Sequence, residues 1–206
     1  FLFHFVISGP DMRSRRYLYR LLGCFFLILV CGMVKSQEWN YARLVLMYGG
    51  QIPFNFNSVR DYANGIEILQ GTILGVTMVD SAQAGHDLQG FELNIRSFNG
   101  ATEIQGDVHS LDLNTIRLQA DNYIGFGCGL TTLGYQDLSV GWTNLCSYLD
   151  PDAVFDDLSW DTQQIAISYD CGIPVSTGGN GSLEGAPADF YRVEIEIELI
   201  PTGPGF

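Results

Sequence analysis

Val193-Glu194-Ile195-Glu196-Ile197-Glu198-Leu199 alternates without a break between apolar and acidic residues. Successive side chains of an extended strand point to opposite faces, so the apolar residues share one face and the glutamates the other. One face suits a core and the other suits water, as in a half-covered antiparallel sheet. Phe91-Glu92-Leu93-Asn94-Ile95-Arg96 repeats the pattern with Glu92 and Arg96 outward. Ile165, Ile167, Tyr169 and Cys171 also share a parity, which points Cys171 inward from the end of its strand.

Working outward, residues 43–48 (RLVLMY) and 72–79 (TILGVTMV) are apolar on both faces and read as central or fully covered strands. Between 111 and 120 the apolar parity switches from Leu111 and Leu113 to Ile116, Leu118 and Ala120, so a bulge or tight turn is expected at Asn114-Thr115. Tyr48-Gly49-Gly50, Asn64-Gly65, Gln70-Gly71, Asn99-Gly100 and Gly178-Gly179-Asn180-Gly181 punctuate the strands as turns. Leu138, Trp142, Leu145 and Leu149 follow helical spacing ahead of Pro151, against the weak helix formers Val140, Gly141 and Thr143. That stretch reads as a short helix or an irregular crossover. Pro201 to Phe206 reads as an extended end. Eight or nine short strands with no alternating long helices specify an all-β fold, an antiparallel two-sheet β-sandwich of Ig-like or Greek-key type.

Ahead of this domain, Met12 is followed by Arg13, Arg15, Arg16 and Arg20, then by the apolar run Leu21 to Val34, then by Val34-Lys35-Ser36 with small residues at the −3 and −1 positions. This order is that of a secretory signal peptide over residues 12–36, with residues 1–11 upstream or vector-derived. The apolar run is shorter than the roughly 20 residues of a spanning helix, so no membrane span is expected in the mature chain. Residues 37–206 then form a single domain, secreted or held at the outer cell surface.

Residues 37–206 hold five arginines, no lysine and 22 acidic residues, a net charge of −17. A field of that sign repels phosphate backbones, which excludes nucleic acid and leaves proteins, cations and neutral glycans as partners. Cys128, Cys146 and Cys171 remain in this region. An oxidising compartment favours one disulfide among them, worth about 3 kcal/mol, with the pairing left open.

Motifs of hydrolases, zinc peptidases and phosphate-binding loops are absent from residues 37–206, and His86 and His109 sit in polar, turn-like contexts. Glu194, Glu196 and Glu198 have a glycosidase-like spacing but form an open row, which cannot hold one carboxyl protonated as acid catalysis requires. Asp150, Asp152, Asp156 and Asp157, with Asp161 nearby, cluster the hard oxygen ligands that calcium takes, without EF-hand spacing. A solvated acidic loop is expected there, with calcium the alternative and no other cofactor. Trp39, Trp142 and Trp160 would serve a carbohydrate-binding module only if aligned on one exposed face. The chain is accordingly expected to be a non-enzymatic structural or adhesive protein, with a carbohydrate-binding module and a small glycoside hydrolase as rivals.

With its leader, its cysteines and its alternating final strand, the chain resembles pilin or fimbrial subunits and related bacterial surface β-sandwich proteins. The resemblance implies assembly by strand addition, in which one chain's N-terminal segment completes a neighbour's sheet. Trp39 to Tyr48 would be that segment, with Leu44, Val45, Leu46 and Met47 as its centre.

Expressed with its own leader, the protein is expected outside the inner membrane with its N-terminus at or within a few residues of Gln37. N-terminal sequencing of the recovered chain checks this, and a full-length membrane-integrated product would turn Leu21 to Val34 into an anchor.

Overall fold

The alternation that marks the strands is satisfied by two facing sheets. A computed structural model describes residues 41–79, 88–126, 130–149 and 159–203, all within the compact unit Trp39–Phe206. Residues 12–36, Cys128 and the acidic run Asp150, Asp152, Asp156 and Asp157 lie outside the described residues, as do His86 and Trp39. Among those described, eleven strands form: β1 (Tyr41–Tyr48), β2 (Ile66–Val79), β3 (Gly90–Ser97), β4 (Glu103–Gln105), β5 (Ser110–Asp112), β6 (Ile116–Ile124), β7 (Leu130–Thr132), β8 (Gln136–Asp137), β9 (Thr143–Leu149), β10 (Gln164–Cys171) and β11 (Ile195–Thr202).

The larger sheet has the order β1-β2-β10-β6-β8 and the smaller β11-β3-β9-β7, while β4 and β5 make a separate hairpin. Every pairing is antiparallel. From β6 to β11 successive strands alternate between the two sheets, so each connection crosses the sandwich. This is an all-β antiparallel sandwich. Its core joins Val76 and Met78 of β2, Phe91, Leu93 and Ile95 of β3, Leu118 and Ala120 of β6, Leu145 of β9, and Ile165 and Ile167 of β10, all solvent-free. Each large apolar side chain so buried contributes about 1.5–3 kcal/mol. Tyr169 and Cys171 join them on the inner face of β10, as their shared parity requires.

The final alternating segment pairs with β3 from Ile195 opposite Ser97 to Thr202 opposite Gly90. Ile195, Ile197 and Leu199 lean on the core while Glu194 and Glu198 face solvent. Pairing continues through Pro201 and Thr202, so part of the expected tail is strand. The parity switch near Asn114 is a tight 3-10 turn, Leu113–Thr115, between β5 and β6.

Bulges account for several differences from the sequence expectations. Gln70-Gly71 does not separate two strands. It lies inside β2, where Gln70 takes a φ of 52° and the register against β10 jumps between Ile68 and Thr72. The Ser168 hydroxyl accepts the freed Gln70 N–H at 3.1 Å. Residues 143–149 form β9 rather than a helix. Cys146 faces Leu93 and Asn144 faces Asn94, which leaves Leu145 as the extra residue, and both Leu145 and Cys146 are buried. That bulge breaks the period of two and produces the apparent helical spacing. Asn64-Gly65 ends a helix rather than a hairpin: α1 (Val59–Asn64) is capped by Ser58, whose Oγ accepts the Asp61 N–H while the Asp61 carboxylate accepts the Ser58 N–H.

The largest correction concerns residues 43–48. Among the described residues they form an edge strand, not a covered one. β1 pairs with β2 of its own chain, Leu44 opposite Val76 and Val45 opposite Gly75. Ala42 and Leu44 pack on the core, whereas Leu46, Met47 and Tyr48 are 56%, 40% and 67% exposed. At its end the chain passes so close to β2 that a Cβ on Gly49, which has a φ of +80°, would lie 1.8 Å from the Gly71 carbonyl oxygen. Only glycine fits there.

Candidate functional site

The outer face of the larger sheet carries a row of charged side chains, one from each of four adjacent strands. Glu67 of β2 stands opposite Asp170 of β10, Asp170 opposite Arg117 of β6, and Arg117 opposite Asp137 of β8. The parity that sends Tyr169 and Leu118 into the core sends Asp170 and Arg117 to this face. Asp170 is nevertheless buried and Arg117 half-buried, with side chains 4% and 12% exposed. Two carboxylates directly opposite each other, as Glu67 and Asp170 are, repel unless other groups neutralise them.

Asp170 is neutralised by an arginine, and Glu67 is hydrogen-bonded by a tyrosine. Arg117 grips Asp170 through two parallel bonds, Nε to Oδ1 at 3.0 Å and Nη2 to Oδ2, the bidentate geometry that a planar guanidinium suits. Its Nη1 donates to the carbonyl of Gly178, at the left-handed end of the 3-10 turn Val175–Thr177. Tyr135 crosses over the pair with its ring 5.2 Å from the guanidinium carbon, and its hydroxyl donates to Glu67 Oε1 at 2.7 Å. The hydrogen bonds to Asp170 push the Arg117 pKa up further, and burial, then the bond to Glu67, pushes the Tyr135 phenol up. Beside this cluster lies an open cleft of about 460 Å³ that Ile173 and Thr177 help to line.

A second anchor holds the β4–β5 hairpin. The Asp189 carboxylate accepts backbone N–H bonds from Asp107 at 3.1 Å, from Val108 and His109 at 2.8 Å each, and from Phe190 at 2.8 Å. These bonds hold its pKa down to about 2. A mutual pair of backbone bonds between Gln105 and Arg192 extends the same seam.

The residues singled out from sequence do not converge. Glu196 is tied to Arg96 at 2.8 Å, and the Arg96 guanidinium lies 4.2 Å over the Trp142 ring, while Glu194 and Glu198 stand in water. No unequal pair of acids forms there. Trp142 belongs to the smaller sheet through Arg96 of β3, and Trp160 lies against Gly75 of the larger one, so the two make no common aromatic platform. His109 is an exposed loop residue. Among the described residues no three His, Cys, Asp or Glu side chains are grouped to hold a metal. The expected disulfide is corrected for two of its three candidates. Cys146 and Cys171 are buried free thiols, one on the smaller sheet and one on the last residue of β10 in the larger. Burial pushes both thiols up to about 12, far from a reactive thiolate.

Sequence reasoning passed over Arg117, Asp170, Glu67, Tyr135 and Asp189. One signal was present for Asp170: a lone acid next to the core-facing Tyr169 and Cys171, in a chain with few arginines to pair it. No protein-family model and no curated protein matches the chain.

Asp170→Ala, which strands a half-buried guanidinium, is expected to destabilise the domain by about 3 kcal/mol in chemical denaturation, the low end for breaking a buried pair. The double variant Arg117→Met/Asp170→Leu is expected to recover most of that loss, because a buried ion pair is commonly replaceable by apolar volume.

Asp189 generates a pH expectation. Its folded pKa is depressed, so its contribution is complete above the unfolded value of about 3.9 and is lost as pH falls through about 2. Amide protection at Val108 and His109, taken relative to the intrinsic exchange rate at each pH, should fall across that window in the wild type. In Asp189→Asn it should be low throughout.

Proposed function

We propose that the chain is an exported, non-enzymatic β-sandwich that acts through protein–protein contacts, and that the contact is strand addition at the edge of β1. The observation that carries this is a comparison of sheet edges. Natural sheets blunt their edges with short strands, charges or proline, because an open edge pairs with other chains. Three of the four edges of the two sheets follow that rule among the described residues. β8 has two residues, β7 has three, and β11 carries Glu196, Glu198 and Pro201. β1 is eight residues long, contains no proline, and has Arg43 as its one charge. It leaves Leu46, Met47 and Tyr48 in solvent and has β2 as its one strand partner among the described residues.

Other observations support a non-enzymatic reading. The polar groups around the cleft beside Tyr135 are committed to one another, Arg117 to Asp170 and Tyr135 to Glu67. The two described thiols are buried and protonated. The pilin-like expectation takes a specific form here: residues 44–47 complete their own sheet, and their outer edge is what a partner would meet.

Adding a neutral octapeptide of alternating threonine and valine should slow amide exchange within Arg43–Tyr48 and at no other edge. Leu46→Lys/Met47→Lys alters exposed side chains, so stability should stay within about 0.5 kcal/mol while that protection disappears. Unchanged exchange in the wild type would sink the proposal.

A further inference from the structure

Resting on the strand-addition reading of β1, we infer that its partner is a basic extended segment of a different protein rather than a second copy of this chain. What an open edge lacks is a row of backbone partners, so the occupant is an extended strand whatever its side chains. Charge then selects among strands. Residues 37–206 carry a net charge of −17, and three of their five arginines are already committed: Arg96 to Glu196, Arg117 to Asp170 and Arg192 to Asp107. Two copies joined edge to edge would bring two such charges together, and at physiological ionic strength charges interact over a Debye length of about 8 Å. Like charges brought together across an interface suppress that pairing, and opposite ones accelerate it.

The immediate surroundings point the same way. β11 lies beside β1 at the same flank of the sandwich and presents Glu198, preceded by Glu194, to solvent. These carboxylates stand on the face of β11 turned away from the core, so they add to the negative field around this flank without touching a strand laid along β1. Leu46 and Met47 are exposed on opposite faces of β1, so apolar residues on either face of an added strand would find one of them.

Three octapeptides, the length of β1, test this on the purified protein: alternating lysine and valine, alternating glutamate and valine, and a fully N-methylated lysine–valine twin that keeps the charge but cannot pair its backbone. The lysine peptide is expected to bind at least about tenfold more tightly than the neutral threonine–valine peptide, to lose that advantage in high salt, and to protect the amides of Arg43–Tyr48. The glutamate peptide and the N-methylated twin should not protect them. Equal binding of the lysine and glutamate peptides overturns the inference, as does binding of the methylated twin as tight as that of the lysine peptide. Reversible dimerisation through β1 that the lysine peptide fails to displace overturns it too, yet leaves the strand-addition reading standing. Failure of every peptide, the neutral one included, takes down both.

Discussion

β10 is buried on both faces, and most of the architecture follows from what that demands. Its inner side chains, Ile165, Ile167, Tyr169 and Cys171, fill the core, while Ala166, Ser168 and Asp170 on the other face are equally shielded. A carboxylate in that position is tolerable only when fully paired, because an isolated buried charge is far more unfavourable than any single apolar contact is favourable. Arg117 on the neighbouring strand supplies the charge in bidentate form, Tyr135 covers it, and the turn at Gly178 accepts its remaining nitrogen. The register of β10 against β6 and the path of the chain after β10 are thereby coupled to one ion pair. A one-residue slip of β10 would send Asp170 into the core, and one of β6 would send Arg117 there.

The same logic governs how the sandwich is tied together at its margins. Connections from β6 onward cross between sheets, so pairing partners come from distant parts of the chain and local turns cannot hold them. Long-range polar clasps do that work instead. Asp189 gathers four backbone N–H groups from two loops, and the Thr72 hydroxyl donates to the Gly49 carbonyl at 2.8 Å where β1 leaves the sheet. Around these clasps the acidic surface stays solvated, and three of the five arginines in residues 37–206 are paired with carboxylates. Among the described residues, β1 has β2 as its one strand partner.

Much of the fold was legible in the chain itself. The alternation of Val193 to Leu199 and of Phe91 to Arg96 determined strands with one face inward, and the parity of Ile165 to Cys171 determined which way Cys171 points. The glycine and asparagine punctuation, with no long amphipathic helix, determined an antiparallel sandwich. Composition determined a strongly acidic domain, with 22 acidic residues against five arginines in residues 37–206. These are properties of a residue and its near neighbours, which is why a period of two reveals them.

Tertiary structure alone decided the rest. A bulge at Leu145 disguised β9 as a helix, and one at Gln70 disguised a single long strand as two, because a bulge is settled by the partner strand and not by the bulged one. The apolar residues of β1 gave no sign of being an edge, since edge or centre depends on which strands lie alongside. Asp170 met Arg117 across 53 residues of sequence, and Asp189 met its N–H groups across about 80. A charge in one segment carries no record of the distant partner that makes its burial possible. The sequence by itself determined which residues want to be inside; packing decided which strands stand at the edges and which charges are held within.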